Sequence, residues 1–135
     1  MVFGEFVKVL VVVPLQKYRE HVQVTRDRLD FYANQITNFF PASPSDEEWD
    51  RIRQISRDLR SAATQLSSKY AGISSRRLLI KMKIIPSAKK LAEAYGSLIF
   101  LSNSIPRHGE RLDGEHDPII MNNDHIERAK AALMP

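Results

Sequence analysis

From Leu15 the chain places Leu15, Tyr18, Val22, Thr25, Leu29, Tyr32, Ile36 and Phe39 at alternating spacings of three and four. Such spacing runs one apolar stripe down a helix. Lys17, Arg19, Glu20, Arg26, Asp27 and Asp30 fall between the rungs and make a solvated face. Thr25 is the weak rung. Pro41 and Pro44 end the helix at Phe40, because proline lacks the amide and its ring clashes with the preceding turn.

A second stripe follows at Trp49, Ile52, Ile55, Leu59, Ala62, Leu66 and Tyr70. Ser45-Asp46-Glu47-Glu48 reads as a capping box at its start, with Ser43-Pro44 as a competing start two residues earlier. Gly72 is the natural stop. Residues 15–40 and 46–71 each span about 39 Å as helices. A short loop joins them, which predicts an antiparallel hairpin.

A third helix is predicted from Ser87 to Ile105 on the stripe Leu91, Ala94/Tyr95, Leu98, Leu101/Ser102 and Ile105. Gly96, Ser97 and Ser102 are small enough to let a neighbouring helix approach closely. Pro106, Gly109, Gly114 and Pro118 mark residues 106–122 as loop. A last short helix from Asp124 to Leu133 would bury Ile126, Ala129 and Leu133. The expected fold is an all-α antiparallel helix bundle: a long helical hairpin, a third helix and short peripheral helices, in one domain over residues 1–135. Three sizeable helices leave a seam that a fourth segment or a partner chain must close.

Two segments do not fit a plain bundle. Residues 2–15, VFGEFVKVLVVVPL, are apolar apart from Gly4, Glu5 and Lys8. As a helix they span about 21 Å, short of the roughly 30 Å hydrocarbon core of a bilayer. No positive region precedes the run and no small-residue cleavage site follows it, which argues against a secretory signal. Phe3, Phe6, Leu10 and Val13 are out of step with the stripe that starts at Leu15, and Pro14 sits at the phase change. Packing inside the domain is the leading expectation. A membrane anchor flanked by Lys17 and Arg19 is close behind, and a subunit interface is third.

The second segment is SRRLLIKMKIIPSAKK, residues 75–90. Net charge is +4 over 135 residues, yet residues 74–104 alone hold Arg76, Arg77, Lys81, Lys83, Lys89 and Lys90 against the single acid Glu93. The sequence pI near 9.5 is therefore a local property. Aliphatic side chains interleave with these cations, a composition that can lie on an anionic bilayer. The plainer expectation is a connector whose apolar side completes the core while its charges stay solvated.

Composition narrows the chemistry. The absence of cysteine removes disulfides, thiolate metal sites and cysteine nucleophiles. A 43% hydrophobic content is ordinary for a folded domain. No phosphate-binding glycine loop, nucleophile elbow or zinc-protease motif occurs. His108, Glu110, Asp113, Glu115, His116, Asp117, Asp124 and His125 form the richest polar cluster. Their spacing matches no ligand motif, so a solvated loop is expected rather than a metal or catalytic site. Nucleic-acid binding by the cations is weakened because none of the eleven aromatic residues lies within 74–90. Asn34 and Asn103 lie near apolar stripes, where they either pair across helices or face solvent.

The segments FYAN (31–34), DLRSAATQL (58–66), IPSAKKL (85–91) and LIFLSNSI (98–105) resemble a group of small uncharacterised bacterial helical proteins with an apolar N-terminus. That resemblance implies no activity and no ligand residues, and it favours an anchor role for residues 2–15. The expected function is non-enzymatic, with no cofactor and no metal. The expected partner is a membrane surface, on its cytoplasmic side, or another protein in a larger assembly. Arg76, Arg77, Lys81, Lys83, Lys89 and Lys90 would meet the anionic surface. Phe3, Phe6, Leu10 and Val13 would form the anchor or interface. A soluble nucleic-acid-binding protein that contacts the phosphate backbone and a plain homo-oligomeric bundle are the alternatives, and the expected location is the cytoplasmic side of a membrane or the cytoplasm.

Overall fold

The computed structural model describes residues 2–37, 45–104 and 118–134. They fold into α1 (Val2–Val7), a π-helical turn (Lys8–Val12), α2 (Val13–Thr37), α3 (Asp46–Ala71), α4 (Arg76–Lys81), α5 (Ala88–Ser104) and α6 (Pro118–Ala132). No strand occurs among the described residues. The all-α bundle is the observed fold.

Helix α3 starts where its capping residues place it. Ser45 Oγ accepts the Glu48 amide at 3.2 Å and donates to the Glu48 carboxylate at 3.1 Å. Asp46, Glu47 and Glu48 fill the first turn, where the helix dipole favours negative charge. The competing start at Ser43-Pro44 lies outside the described residues. Gly72 closes the helix with a right-handed φ of −74°. The left-handed residue expected of a glycine stop comes later, at Ser75, with φ 60°.

The predicted hairpin forms. Across the α2–α3 seam the Tyr18 and Tyr70 rings meet edge to face at 5.6 Å, His21 Nε2 lies 3.2 Å from the Ala62 carbonyl, and Tyr32 donates to Asp58 at 2.6 Å. The stripe residues Ile52, Ile55, Leu59, Ala62, Leu66 and Tyr70 of α3 are all buried. So are Tyr18, Thr25 and Leu29 of α2, with Leu15, Val22 and Tyr32 packed at the margin. Thr25, the weak rung, is fully buried, and its hydroxyl donates to the His21 carbonyl at 2.9 Å. A polar group that is bonded within its own helix can sit in the core without the cost of an unmade hydrogen bond. The side chains of Ile36 and Phe39 lie outside the described residues.

Helix α5 runs antiparallel to α3. Ser56 Oγ donates to the Ser102 carbonyl at 2.6 Å, and Arg60 donates to Asn103 Oδ1 at 2.7 Å. Asn103 is thus exposed and still pairs across the helices, while the side chain of Asn34 lies outside the described residues. Ser97 and Ser102 are buried, but a Cβ on Gly96 would meet nothing within 4 Å. Gly96 does not mark a close approach.

Helix α6 closes the seam by packing on both α5 and α2. It buries Ile126, Ala129, Ala132 and Leu133. His125 stacks on Phe100 at 3.9 Å, and Lys130 pairs with Asp30 of α2. The helix begins at Pro118 rather than Asp124, so residues 118–122 are not loop. Proline is at home in the first helical position, where its missing amide has no partner to lose.

Residues 2–15 overturn the leading expectation. Every residue from Phe3 to Leu10 is exposed, so that stretch does not pack inside the bundle, while Val11, Val13, Pro14 and Leu15 are half-buried and Leu15 packs against the core. Nor does Pro14 break the chain's helical course. The Val13 amide instead donates to the Lys8 carbonyl, five residues back. In an α-turn the Pro14 ring would press on the Leu10 carbonyl, and the wider π-turn relieves that conflict.

Candidate functional site

One end of the bundle collects both unusual segments. The Tyr18–Tyr70 contact sets the start of α2 beside the end of α3. The Tyr70 hydroxyl donates to the Pro86 carbonyl at 2.8 Å, which brings in the connector that leads to α5. Burial pushes the Tyr70 phenol above its usual pKa, while the Arg76 guanidinium opposes the shift, so Tyr70 remains a neutral donor. The apolar extension α1 therefore leaves the bundle at the end where the six cations lie.

The π-turn also sets which way the extension faces. Phe3, Phe6 and Leu10 follow helical spacing, and the step from Leu10 to Leu15 is five residues. A step of five crosses one π-turn, as a step of four crosses an α-turn. The two stripes that look out of phase in the sequence are thereby brought into line. Phe3 and Phe6, 77% and 61% exposed, continue the core-facing side of α2 past the end of the core. Val13, expected in the same anchor set, is the first residue of α2; it is half-buried and, two residues before Leu15, falls on the other face of the helix.

The basic segment completes the core on one side and keeps its cations exposed on the other. Leu79, Ile85 and Pro86 are buried and complete the core, as the plainer expectation has it. The short helix α4, absent from the sequence reading, presents Arg77, Leu78, Lys81 and Met82 to solvent. Leu78 and Met82 are four apart, on one helical face, and are 57% and 59% exposed. Two aliphatic side chains thus stand among cations on an outward surface.

Lys83 follows α4 in a left-handed conformation, φ 58°. The Lys83 amide donates to the Ile80 carbonyl at 3.0 Å and the Ile84 amide to the Leu79 carbonyl at 2.9 Å. This is a Schellman turn with lysine where glycine is usual. Lys89 and Lys90 are exposed in the first turn of α5, where the dipole disfavours cations. Ser87 caps that turn by accepting the Lys90 amide at 3.3 Å.

Arg76 has a different role from its neighbours. Its Nη1 donates to the Ala71 carbonyl at 2.6 Å and the Ile73 carbonyl at 3.0 Å, and its Cζ lies 6.0 Å from the Tyr70 ring centroid. It satisfies the carbonyls left open where α3 ends. Arg77, Lys81, Lys83, Lys89 and Lys90 make no ion pair with a described carboxylate.

An open groove runs between the end of α3, the start of α4 and the start of α5. One part, of about 590 Å³, is lined by Ser74, Arg76, Arg77 and Ile80 among others. A second depression, of about 420 Å³, shares Tyr70, Ala71, Arg76 and Ala88 with the first and is bordered by Leu91 and Tyr95. Among the described residues, no Asp or Glu lines either part. The sequence holds no local signal for this groove, because its walls come from three elements.

Among the described residues, no three His, Asp or Glu side chains are grouped to hold a metal ion. His108, Glu110, Asp113, Glu115, His116 and Asp117 lie outside the described residues. Asp124 pairs with Arg128 at 3.0 Å, and His125 lies 3.3 Å from Ser97 Oγ. No described helix is long and apolar enough to cross a membrane. The chain matches no protein-family model, no curated protein and no solved structure.

Proposed function

We propose that this protein is a non-enzymatic helical bundle that docks peripherally on an anionic membrane surface, on the cytoplasmic side. One observation carries the reading: the exposed apolar extension and five cations that pair with no described carboxylate occupy the same end of the bundle. Phe3, Phe6 and Leu10 enter the boundary between headgroups and acyl chains. Leu78 and Met82 add a second apolar contact. A cation held near an anionic leaflet contributes about 1 kcal/mol, so Arg77, Lys81, Lys83, Lys89 and Lys90 together supply about 5 kcal/mol at low salt. Apolar burial adds a part that salt does not screen, at about 25 cal/mol per Å².

The alignment of Phe3, Phe6 and Leu10 with the core stripe of α2 favours a second reading, a subunit whose extension completes a core in a partner chain or a second copy. Co-sedimentation with vesicles separates the two. The full chain should pellet with anionic vesicles, weakly with neutral ones, and retain a salt-resistant fraction. Phe6→Glu with Leu10→Glu should abolish that fraction. Arg77→Gln with Lys81→Gln should remove the salt-sensitive part alone. Full-length protein that stays in the supernatant with every lipid refutes membrane docking. Concentration-dependent self-association sensitive to Phe6→Glu would then support the subunit reading.

A further inference from the structure

We infer that the groove between α3, α4 and α5 is a binding site for a phosphate ester, with the phosphate held by Arg76 and Arg77 and the organic part by Ile80, Leu91 and Tyr95. The inference deepens the membrane reading, and it rests on that reading only for the lipid source of the ester. Arg76 is exposed, yet it is not free to wander. Its Nη1 is committed to the Ala71 and Ile73 carbonyls, and its Cζ lies 6.0 Å from the Tyr70 ring centroid. A guanidinium carries five N–H donors. Nη1 accounts for two of them, which leaves the Nε and Nη2 donors for an acceptor in the groove. Fixing the side chain in advance lowers the entropy lost when an anion binds.

Charge and shape both select the ligand class. The described lining holds two arginines, serines including Ser74 and Ser75, and no carboxylate. Guanidinium forks match the oxygens of a phosphate better than a point charge does. The depression beyond Arg76 is bordered by Leu91, Ala92 and Tyr95, a surface that an inorganic phosphate would leave unused. An ester with a glycerol or acyl portion covers it. A soluble phosphate ester and a lipid headgroup share this chemistry.

The test is a titration of the full-length, 15N-labelled protein followed by NMR, with inorganic phosphate, glycerol 3-phosphate and monomeric dihexanoyl phosphatidylglycerol as probes. Glycerol 3-phosphate should shift the signals of Gly72 to Arg77 and of Ala88 saturably, with a midpoint below about 10 mM, and inorganic phosphate should bind several-fold more weakly. Tighter binding of the dihexanoyl lipid assigns the site to a headgroup, and equal or weaker binding assigns it to a soluble ester. Ser74→Glu places a carboxylate in the groove and should weaken each ester about tenfold. Arg77→Gln should do the same in part while leaving the Arg76 cap intact. Shifts that do not saturate, or that spread equally over Lys81, Lys83, Lys89 and Lys90, overturn the inference. Vesicle co-sedimentation of the same samples keeps the two proposals apart: saturable groove shifts without pelleting leave the site standing and remove the membrane reading.

Discussion

The hydroxyl of Tyr70, near the last turn of α3, donates to the carbonyl of Pro86, which precedes α5, at 2.8 Å in a buried setting. This bond fixes how far apart the two helices stand at the basic end, and so where α4 sits. Tyr70→Phe removes the donor and leaves the carbonyl buried. An orphaned buried acceptor costs about 1–3 kcal/mol. Urea denaturation should show a loss in that range with the slope of the transition unchanged. A loss near zero would mean that the two helices are held apart by packing alone.

Tyr18 makes the opposite case beside it. Its ring packs against Tyr70, but its hydroxyl is buried and has no hydrogen-bond partner among the described residues. Burial, and after it the neighbouring Tyr70, push the phenol well above its usual pKa. Tyr18→Phe keeps the ring and removes an unsatisfied polar atom, so stability should rise by about 1 kcal/mol. A thermal melt showing clear destabilisation would contradict that account of the hydroxyl.

Lys83 separates stability from binding. A left-handed backbone costs a side chain-bearing residue about 1–2 kcal/mol relative to glycine, and the greater freedom of glycine in the unfolded chain returns part of that. Lys83→Gly should therefore raise the melting temperature. Under the membrane proposal it should also weaken anionic-vesicle binding about fivefold, since one cation is lost. Melting and binding that move together would remove the case for a lysine kept in a strained place to serve a surface.

The four bundle helices were legible in the sequence for a plain reason. Their stripes, such as Ile52, Ile55, Leu59 and Leu66, repeat at the helical period, and burial follows the repeat. The start of α3 was legible because Ser45 and Glu48 interact locally. The course of residues 2–15 was not, since the apparent phase error at Pro14 assumes an unbroken α-helix. A π-turn changes that count without any marker except the proline it accommodates. Helix α4 is only six residues long, too short for its period to stand out from the apolar run around it. The role of Arg76 was hidden as well, because capping depends on where the chain turns after Gly72 and not on composition.

Two half-buried histidines make stability depend on pH. Burial lowers the pKa of His21, the bond to the Ala62 carbonyl opposes the shift, and Arg28 and Lys69 deepen it. Burial and Arg128 lower His125, against the pull of Asp124. Both bind a proton more readily in the unfolded chain, where the ordinary value is 6.5. Their contribution to stability is thus intact above that pH and is lost as pH falls through 6.5 and then through the lower folded values. Melting temperature should drop between about pH 7.5 and about pH 5.5, and His21→Gln should flatten the drop. A slope unchanged by that substitution would place the titration elsewhere.

The wide turn at Lys8–Val12 amounts to one surplus residue in the length arithmetic of the first helix. Deleting a single residue there, together with Pro14→Ala, yields an ordinary α-helix that still carries Phe3 and Phe6 on the side of Leu15. Deleting two rotates both rings by about 100° and turns them off that side. The segment thus tolerates shortening by one and not by two, a parity that alignment by apolar content alone would overlook.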